Sequence, residues 1–419
     1  MPVTERVAVA ATAAATGRRV EKVLDVGAVR HNLAVLRAAA AGRRLMPVIK
    51  GNAYGLGAVA MAGLLVEAGV PALAVDTVAE GLELREAGVR VPVLVMDVDV
   101  AANARDCAEQ RLMVAVATAE QVRRHADEAG RRGVPSTVWL RTNVGFNRFG
   151  PRDESGFAEV VARLHDARDA LRVAGVFAHL SSSAGDPVET AAQAARFASR
   201  AALVRDLFGP SCSASLAATH GLLHPRALAG TDWVRPGIGL YGLLAPRSRA
   251  LPGWAGSPLA GLRPAVSVRA RILDVLELPE AEGVGYDRRT VPAGRRLAAV
   301  GIGFARGLAG APDGFSGFVH GQRCPMVGRP GMDCTQFDVT GAPAARPGDW
   351  LTIASNSAPD DPASMESVAR KLGRSLYELL ATLPMPVRLE HPTTEPVTGR
   401  QTDAPPRTDH RSGAKTHAG

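Results

Sequence analysis

The chain has 419 residues, of which 46% are hydrophobic and only 4% aromatic, and its formal net charge is +8. That length fits about two domains, and that composition excludes a core built mainly from rings. The charge does not mark a nucleic-acid binder, because the arginines stand beside Asp and Glu with almost no aromatics interleaved for stacking.

The Ala-rich opening, residues 1–26, is interrupted by Glu5 and Arg6 before any signal-like apolar segment develops. It reads as a flexible N-terminal extension of a cytoplasmic protein. No later run reaches the roughly 18–20 apolar residues of a membrane span. From 27 to 244, short apolar runs alternate with longer amphipathic segments. The runs are Met46–Ile49, Ala72–Val75, Val91–Met96, Leu112–Ala117, Thr137–Leu140, Val173–Ala178 and Ser213–Ala217. Between them, Val78–Ala87, Thr118–Arg132, Ala158–Ala170 and Glu189–Phe208 carry helical spacing. Strands alternating with helices predict a parallel sheet, since each crossover must return over the sheet. So many units in this length predict a TIM-like (β/α)8 barrel, with its active site at the C-terminal ends of the strands.

The character changes after Leu244. Pro and Gly cluster through 245–264, and short β-forming segments follow at Val266–Val275, Arg296–Gly301, Gln336–Val339 and Trp350–Ala354. Residues 245–390 therefore predict a mainly β C-terminal domain, with a helical stretch at Ser364–Leu380 broken at Gly373. From 391 to 419 apolar residues nearly vanish, and a disordered tail is expected. Cys107, Cys212, Cys324 and Cys334 lie far apart, so no metal site is read from them.

Among 49 basic residues only Lys22, Lys50, Lys371 and Lys415 are lysines. Lys50 closes an apolar run in Met46-Pro47-Val48-Ile49-Lys50-Gly51-Asn52-Ala53-Tyr54-Gly55-Leu56-Gly57. A buried, desolvated ammonium is expected there, as suits a Schiff-base lysine. Gly55 and Gly57 allow close backbone approach to a ligand, and Tyr54 offers a hydroxyl.

This segment resembles the cofactor-lysine motif of the alanine racemase family. The likeness continues in order through Gly145-Phe146-Asn147-Arg148-Phe149-Gly150, Val234-Arg235-Pro236-Gly237-Ile238-Gly239-Leu240-Tyr241-Gly242, Gly285-Tyr286, Val327-Gly328-Arg329-Pro330-Gly331-Met332-Asp333 and Tyr377-Glu378. It covers roughly residues 27–390.

The resemblance implies an amino-acid racemase of fold type III that uses pyridoxal 5'-phosphate, with alanine the default small amino-acid substrate. Lys50 would hold the cofactor and act as one proton-transfer base. Tyr286 would be the opposing base, reaching the site from the second subunit of a homodimer with shared active sites. A racemase needs a base on each face of a planar carbanion, and this pair supplies both. Arg235 would face the pyridine nitrogen and His179 would support it. The phosphate would lie among Tyr54, Gly237, Ile238 and Tyr377. Thr219 stands where the family has a serine, although counting back from Arg235 without a gap reaches His220. Arg148 would contact the cofactor ring oxygen and the substrate carboxylate, assisted by the Met332 backbone N–H.

Several positions depart from the family. Arg141 stands where many members carry a lysine that becomes carbamylated, and a guanidinium cannot form that carbamate. It would add a positive charge near Arg148 that an anion or another carboxylate must balance. Asn143 replaces an aspartate, Leu56 a histidine, Phe304 a tyrosine and Arg306 an aspartate. A decarboxylase of the same fold would be expected to pair the pyridine nitrogen with a carboxylate rather than Arg235. A catalytically silent cofactor-binding protein is the other alternative.

Overall fold

The structure is a computed structural model, and it describes residues 18–97 and 103–392. Nine strands precede the long β segment that opens the second domain. They are β1 (Val20–Asp25), β2 (Arg44–Leu45), β3 (Leu73–Val75), β4 (Val93–Val95), β5 (Met113–Val116), β6 (Ser136–Arg141), β7 (Leu171–Phe177), β8 (Ser213–Ala218) and β9 (Trp233–Arg235). β2 to β9 form one parallel sheet in the order β2-β9-β8-β7-β6-β5-β4-β3. A parallel bridge between Val48 and Ala74 joins its two ends and closes the barrel.

The barrel strands read as near-continuous apolar runs because both of their faces are covered. Every residue of β3 and β4 is buried. Side chains from several strands fill the barrel axis, among them Met46, Leu94, Trp139, Phe177 and Trp233. Gly175 makes room for this filling, since a Cβ there would stand 2.6 Å from the Trp139 ring. Outside the sheet, the helices start at side-chain caps. Thr77 and Thr118 head capping boxes before Val78–Glu86 and Ala119–Arg132, and Asp153 and Asp186 cap Glu154–Asp166 and Pro187–Phe208.

The second domain contains β10 (Val266–Leu278), β11 (Glu282–Val284), β12 (Arg289–Val291), β13 (Arg295–Val300), β14 (Ser316–Val319), β15 (Gln322–Val327), β16 (Thr335–Asp338), β17 (Trp350–Ala354) and β18 (Val387–Glu390). Six of them close on themselves in the order β10-β13-β16-β15-β14-β17, with β17 pairing back to β10. The expected helical stretch is two helices, Met365–Lys371 and Leu376–Thr382, and Gly373 between them has φ 64.

One expectation is corrected here. The reading of residues 1–26 as a flexible extension fails for Val20–Asp25, which form β1, antiparallel to β10 and parallel to β18. Within this strand Glu21 and Lys22 are both buried, and each is paired. Glu21 meets Arg269 at 2.7 Å and Arg388 at 3.3 Å. Lys22 donates to the carbonyls of Gly55 and Leu380. The chain thus starts its described course in the β domain, and Asp25 then caps the first barrel helix, Val26–Ala39. Residues 1–17 and all of the expected tail except His391 and Pro392 lie outside the described residues. Among the described residues, no helix is long and apolar enough to cross a membrane.

Candidate active site

A cavity of about 390 Å³ opens where the strand ends meet Tyr377 of the β domain. Its wall brings together Lys50, Tyr54, Arg148, His179, Thr219, Arg235, Gly237, Ile238 and Tyr377. Five cationic side chains, Lys50, Arg141, Arg148, Arg235 and Arg247, face it against one carboxylate, Asp76. Such a wall suits a small ligand carrying several negative charges.

Lys50 heads an unusual piece of backbone. Gly51, Asn52, Ala53 and Tyr54 all adopt left-handed helical angles, with φ between 51 and 62. Such geometry costs L-residues about 1–2 kcal/mol each, so the turn persists only if other contacts outweigh that strain. At its start, Glu80 Oε1 accepts from the Gly51 N–H at 2.5 Å and the Asn52 N–H at 3.2 Å. Farther along, the Tyr241 hydroxyl donates to the Ala53 carbonyl at 2.9 Å, and buried Lys22 holds the Gly55 carbonyl. The Glu80 and Lys22 bonds are charge-assisted and contribute about 1.5–3 kcal/mol each, enough together to offset the strain.

Lys50 itself is not the desolvated ammonium that the sequence led us to expect. Its side chain is 37% exposed, and Nζ lies 3.3 Å from Asp76 Oδ2. A carboxylate at the end of the neighbouring strand therefore faces the amine, an arrangement that no spacing in the sequence announces.

Arg235 is buried and rigidly held. It donates to Ser215 Oγ at 2.5 Å and the Ala178 carbonyl at 2.6 Å, and its guanidinium lies 4.9 Å from the Phe177 ring centroid. Burial lowers its pKa to about 9, so it remains a cation at neutral pH. His179 stands close by, with its ring 5.3 Å from Phe146. Burial first, then the charges of Arg235, Arg148 and Arg141, push its pKa down to about 3, so it is neutral. The hydrogen bonds that anchor Arg235 run to Ser215 and Ala178, and Ser215 was not among the residues picked from the sequence.

At the opposite pole, Thr219 Oγ1 accepts from the Gly237 N–H at 3.1 Å and the Gly239 N–H at 3.2 Å. Both lone pairs are then engaged and the hydroxyl proton is left for another acceptor. Gly237 is required by close approach, since a Cβ there would lie 2.1 Å from the Tyr54 hydroxyl oxygen. His220 also faces this pole. Its Nε2 accepts from the Ala245 N–H at 3.0 Å, which makes Nδ1 the protonated nitrogen, directed at the Tyr377 oxygen 3.5 Å away. Both residues left open by the gap in the sequence comparison, Thr219 and His220, thus reach the same end of the cavity.

Arg148 lies 4.3 Å from the Phe146 ring centroid. Its loop is shaped by Asn143, whose Oδ1 accepts from the Gly145 and Asn147 N–H groups at 2.9 and 3.1 Å. Arg141 donates to the Met96 carbonyl and covers the Phe149 ring at 4.4 Å. Burial, then the Arg148 charge, lowers its pKa to about 10, while Asp76 and Asp97 act in the other direction. Asp76 and Asp97 offset only part of that effect. Leu56 is buried in the core.

Tyr286 and Met332 are not brought to the cavity within this chain. Tyr286 is 85% exposed and Met332 59%, and neither lines the cavity wall. Both lie on a rim of the β domain with exposed Phe304, whose N–H donates to the Gly331 carbonyl at 2.8 Å. Arg306 turns away to the Pro384 carbonyl at 3.3 Å.

The alanine racemase N-terminal domain family matches residues 24–245, and the alanine racemase C-terminal domain family matches residues 265–390. The chain belongs to the alanine racemase family. It is 34% identical to an alanine racemase of Thioalkalivibrio sulfidiphilus over 88% of this chain and 97% of that one. A catabolic alanine racemase of Pseudomonas aeruginosa is 32% identical over 87% of this chain and 97% of its own. Among solved structures, the alanine racemase of D-cycloserine-producing Streptomyces lavendulae superposes with a TM-score of 0.80 at 28% identity, covering 90% of this chain and 98% of its own.

Proposed function

We propose that this protein is a pyridoxal-phosphate-dependent racemase that interconverts L- and D-alanine and acts as a homodimer in the cytoplasm. The observation that carries the reading is the cavity itself. It combines a lysine amine, a buried arginine cation and a hydroxyl-rich anion cradle on one strand-end surface. The cradle fits the cofactor's phosphate: Thr219, Tyr54 and Tyr377 offer hydroxyls around a glycine that any side chain would close. Four cysteines without a disulfide suit a reducing compartment.

When bound, pyridoxal 5'-phosphate supplies a conjugated ring that acidifies the α-carbon of an attached amino acid. Lys50 holds that group and moves a proton at its own Nζ on one face of the substrate. Tyr286 of a second copy takes the other face, in keeping with its exposure and its position on the rim of the β domain. Arg148 holds the substrate carboxylate, and the Met332 backbone N–H assists it. Arg235, a cation at neutral pH, would face the ring nitrogen and keep it unprotonated, which would favour return of the proton over loss of carbon dioxide and disfavour the decarboxylase alternative.

The test is incubation of the cofactor-loaded protein with L-alanine and a panel of other L-amino acids, followed by chiral separation. Appearance of D-alanine at the highest rate supports the proposal. Loss of carbon dioxide, or no conversion of any amino acid, refutes it.

A further inference from the structure

The fold places one carboxylate where no substrate contact needs it. Glu80 sits in the first turn of the helix Val78–Glu86, and its two oxygens serve two different segments. Oε1 accepts from the N–H groups of Gly51 and Asn52, immediately after Lys50, at 2.5 and 3.2 Å. Oε2 accepts from the N–H groups of Asp76 and Thr77 at 2.9 and 3.2 Å. Lys50 and Asp76 form an ion pair across the cavity wall, at 3.3 Å.

We propose that Glu80 is a positioning residue that registers the Lys50 amine against Asp76, so that the amine is poised to bond to the cofactor. The assignment rests on the reading of Lys50 as the cofactor lysine. A helix cap explains only half of the contacts. The Thr77–Glu80 capping box accounts for the bond between Thr77 Oγ1 and the Glu80 N–H at 3.2 Å and for the return bond to Thr77. It does not account for the reach of Oε1 across to the left-handed turn. A carboxylate suits that reach because the first N–H groups of the turn point outward without partners in their own segment, and an anion there makes charge-assisted bonds. The far end of the turn has separate holds, Tyr241 on the Ala53 carbonyl and Lys22 on the Gly55 carbonyl. Loss of Glu80 should therefore release the Lys50 end while Tyr54 stays against Gly237.

The experiment separates the two ends with two ligands. The Lys50 amine and the aldehyde of pyridoxal 5'-phosphate can condense to a C=N bond with loss of water. Borohydride supplies the hydride that reduces it to a stable C–N bond, and peptide mass analysis reports that bond at its residue. Pyridoxine 5'-phosphate lacks the aldehyde and reports only the phosphate cradle and ring contacts, through equilibrium dialysis. Glu80→Ala is expected to lower the reduced adduct at Lys50 by about tenfold or more at limiting cofactor, the effect of losing a charge-assisted hydrogen bond. Its affinity for pyridoxine 5'-phosphate should stay within about twofold of the wild type, and Glu80→Asp should recover part of the adduct. Thr77→Ala removes the other half of the capping box and should leave both readouts near wild type. Equal losses in both ligands, or equal losses in Thr77→Ala and Glu80→Ala, would reduce Glu80 to a helix cap and overturn the proposal, as would an unchanged adduct in Glu80→Ala. Absence of an adduct at Lys50 in the wild type itself would instead overturn the reading on which the inference rests.

Discussion

The cavity at the barrel mouth and the rim of the β domain are built in opposite ways. At the barrel mouth, polar groups find partners inside one chain: Arg235 on Ser215 and Ala178, Thr219 on Gly237 and Gly239, Lys50 on Asp76. The rim instead exposes Tyr286, Phe304 and Met332 together. Monomeric surfaces seldom present such apolar clusters without a use. One pole is finished by folding, and the other turns its side chains outward, where the proposed homodimer would use them.

Substitutions at the two regions should therefore fail differently. The largest effects are expected from the two proposed bases. Lys50→Ala should abolish racemisation and covalent capture of the cofactor, seen as loss of its absorbance after gel filtration. Tyr286→Phe should lose about 10²–10⁴-fold in racemisation rate yet retain the bound cofactor, since it touches nothing in the cavity wall. A Tyr286→Phe protein that releases the cofactor would break the contrast between the regions.

A smaller effect is expected from Gly237→Ala. The added Cβ displaces the Tyr54 hydroxyl, and the dissociation constant for pyridoxal 5'-phosphate should rise by roughly tenfold or more, as expected when a buried hydrogen bond is lost. Thermal stability should change less, because the displaced ring has the cavity to move into.

The effects that least touch activity at neutral pH are those of pH on folding. His179 and His220 are held neutral by burial, with pKa values of about 3 and about 4, below the ordinary 6.5. The unfolded chain then binds more protons as pH falls below about 6.5, so their contribution is full above that value and lost as pH drops through 4 and then 3. Lys22 acts at the other end of the scale. Burial lowers its pKa from 10.5 to about 8, so stability should rise between those two values. Denaturant melts across pH, compared with Lys22→Met, would show that rise disappear in the variant.

Much of the barrel was legible because strands buried on both faces leave unbroken apolar runs, as at Val93–Val95 and Val114–Val116. The Gly373 break was legible because the residue must take a positive φ. β1 was not, since Glu21 and Lys22 find partners more than two hundred residues away in sequence. The lysine, arginine and glycine motifs pointed to the cavity wall, and that wall does collect them. Asp76, Glu80, Ser215 and Arg247 went unseen because their meaning comes from three-dimensional neighbours, not from local spacing. Only the Thr77-to-Glu80 capping pattern carried a local signal, and that signal points to a helix start rather than to Lys50.

The most direct test of a site divided between two chains is a mixing experiment with the two inactive variants. Lys50→Ala and Tyr286→Phe proteins are unfolded together, refolded at equal amounts, and assayed for racemisation. Random pairing into two-fold dimers should restore about a quarter of wild-type activity, because one site in each mixed dimer is intact. Recovery to that level is the expected result. No recovery, with mixed dimers demonstrated by mass spectrometry, would contradict the assignment of the two bases to opposite subunits.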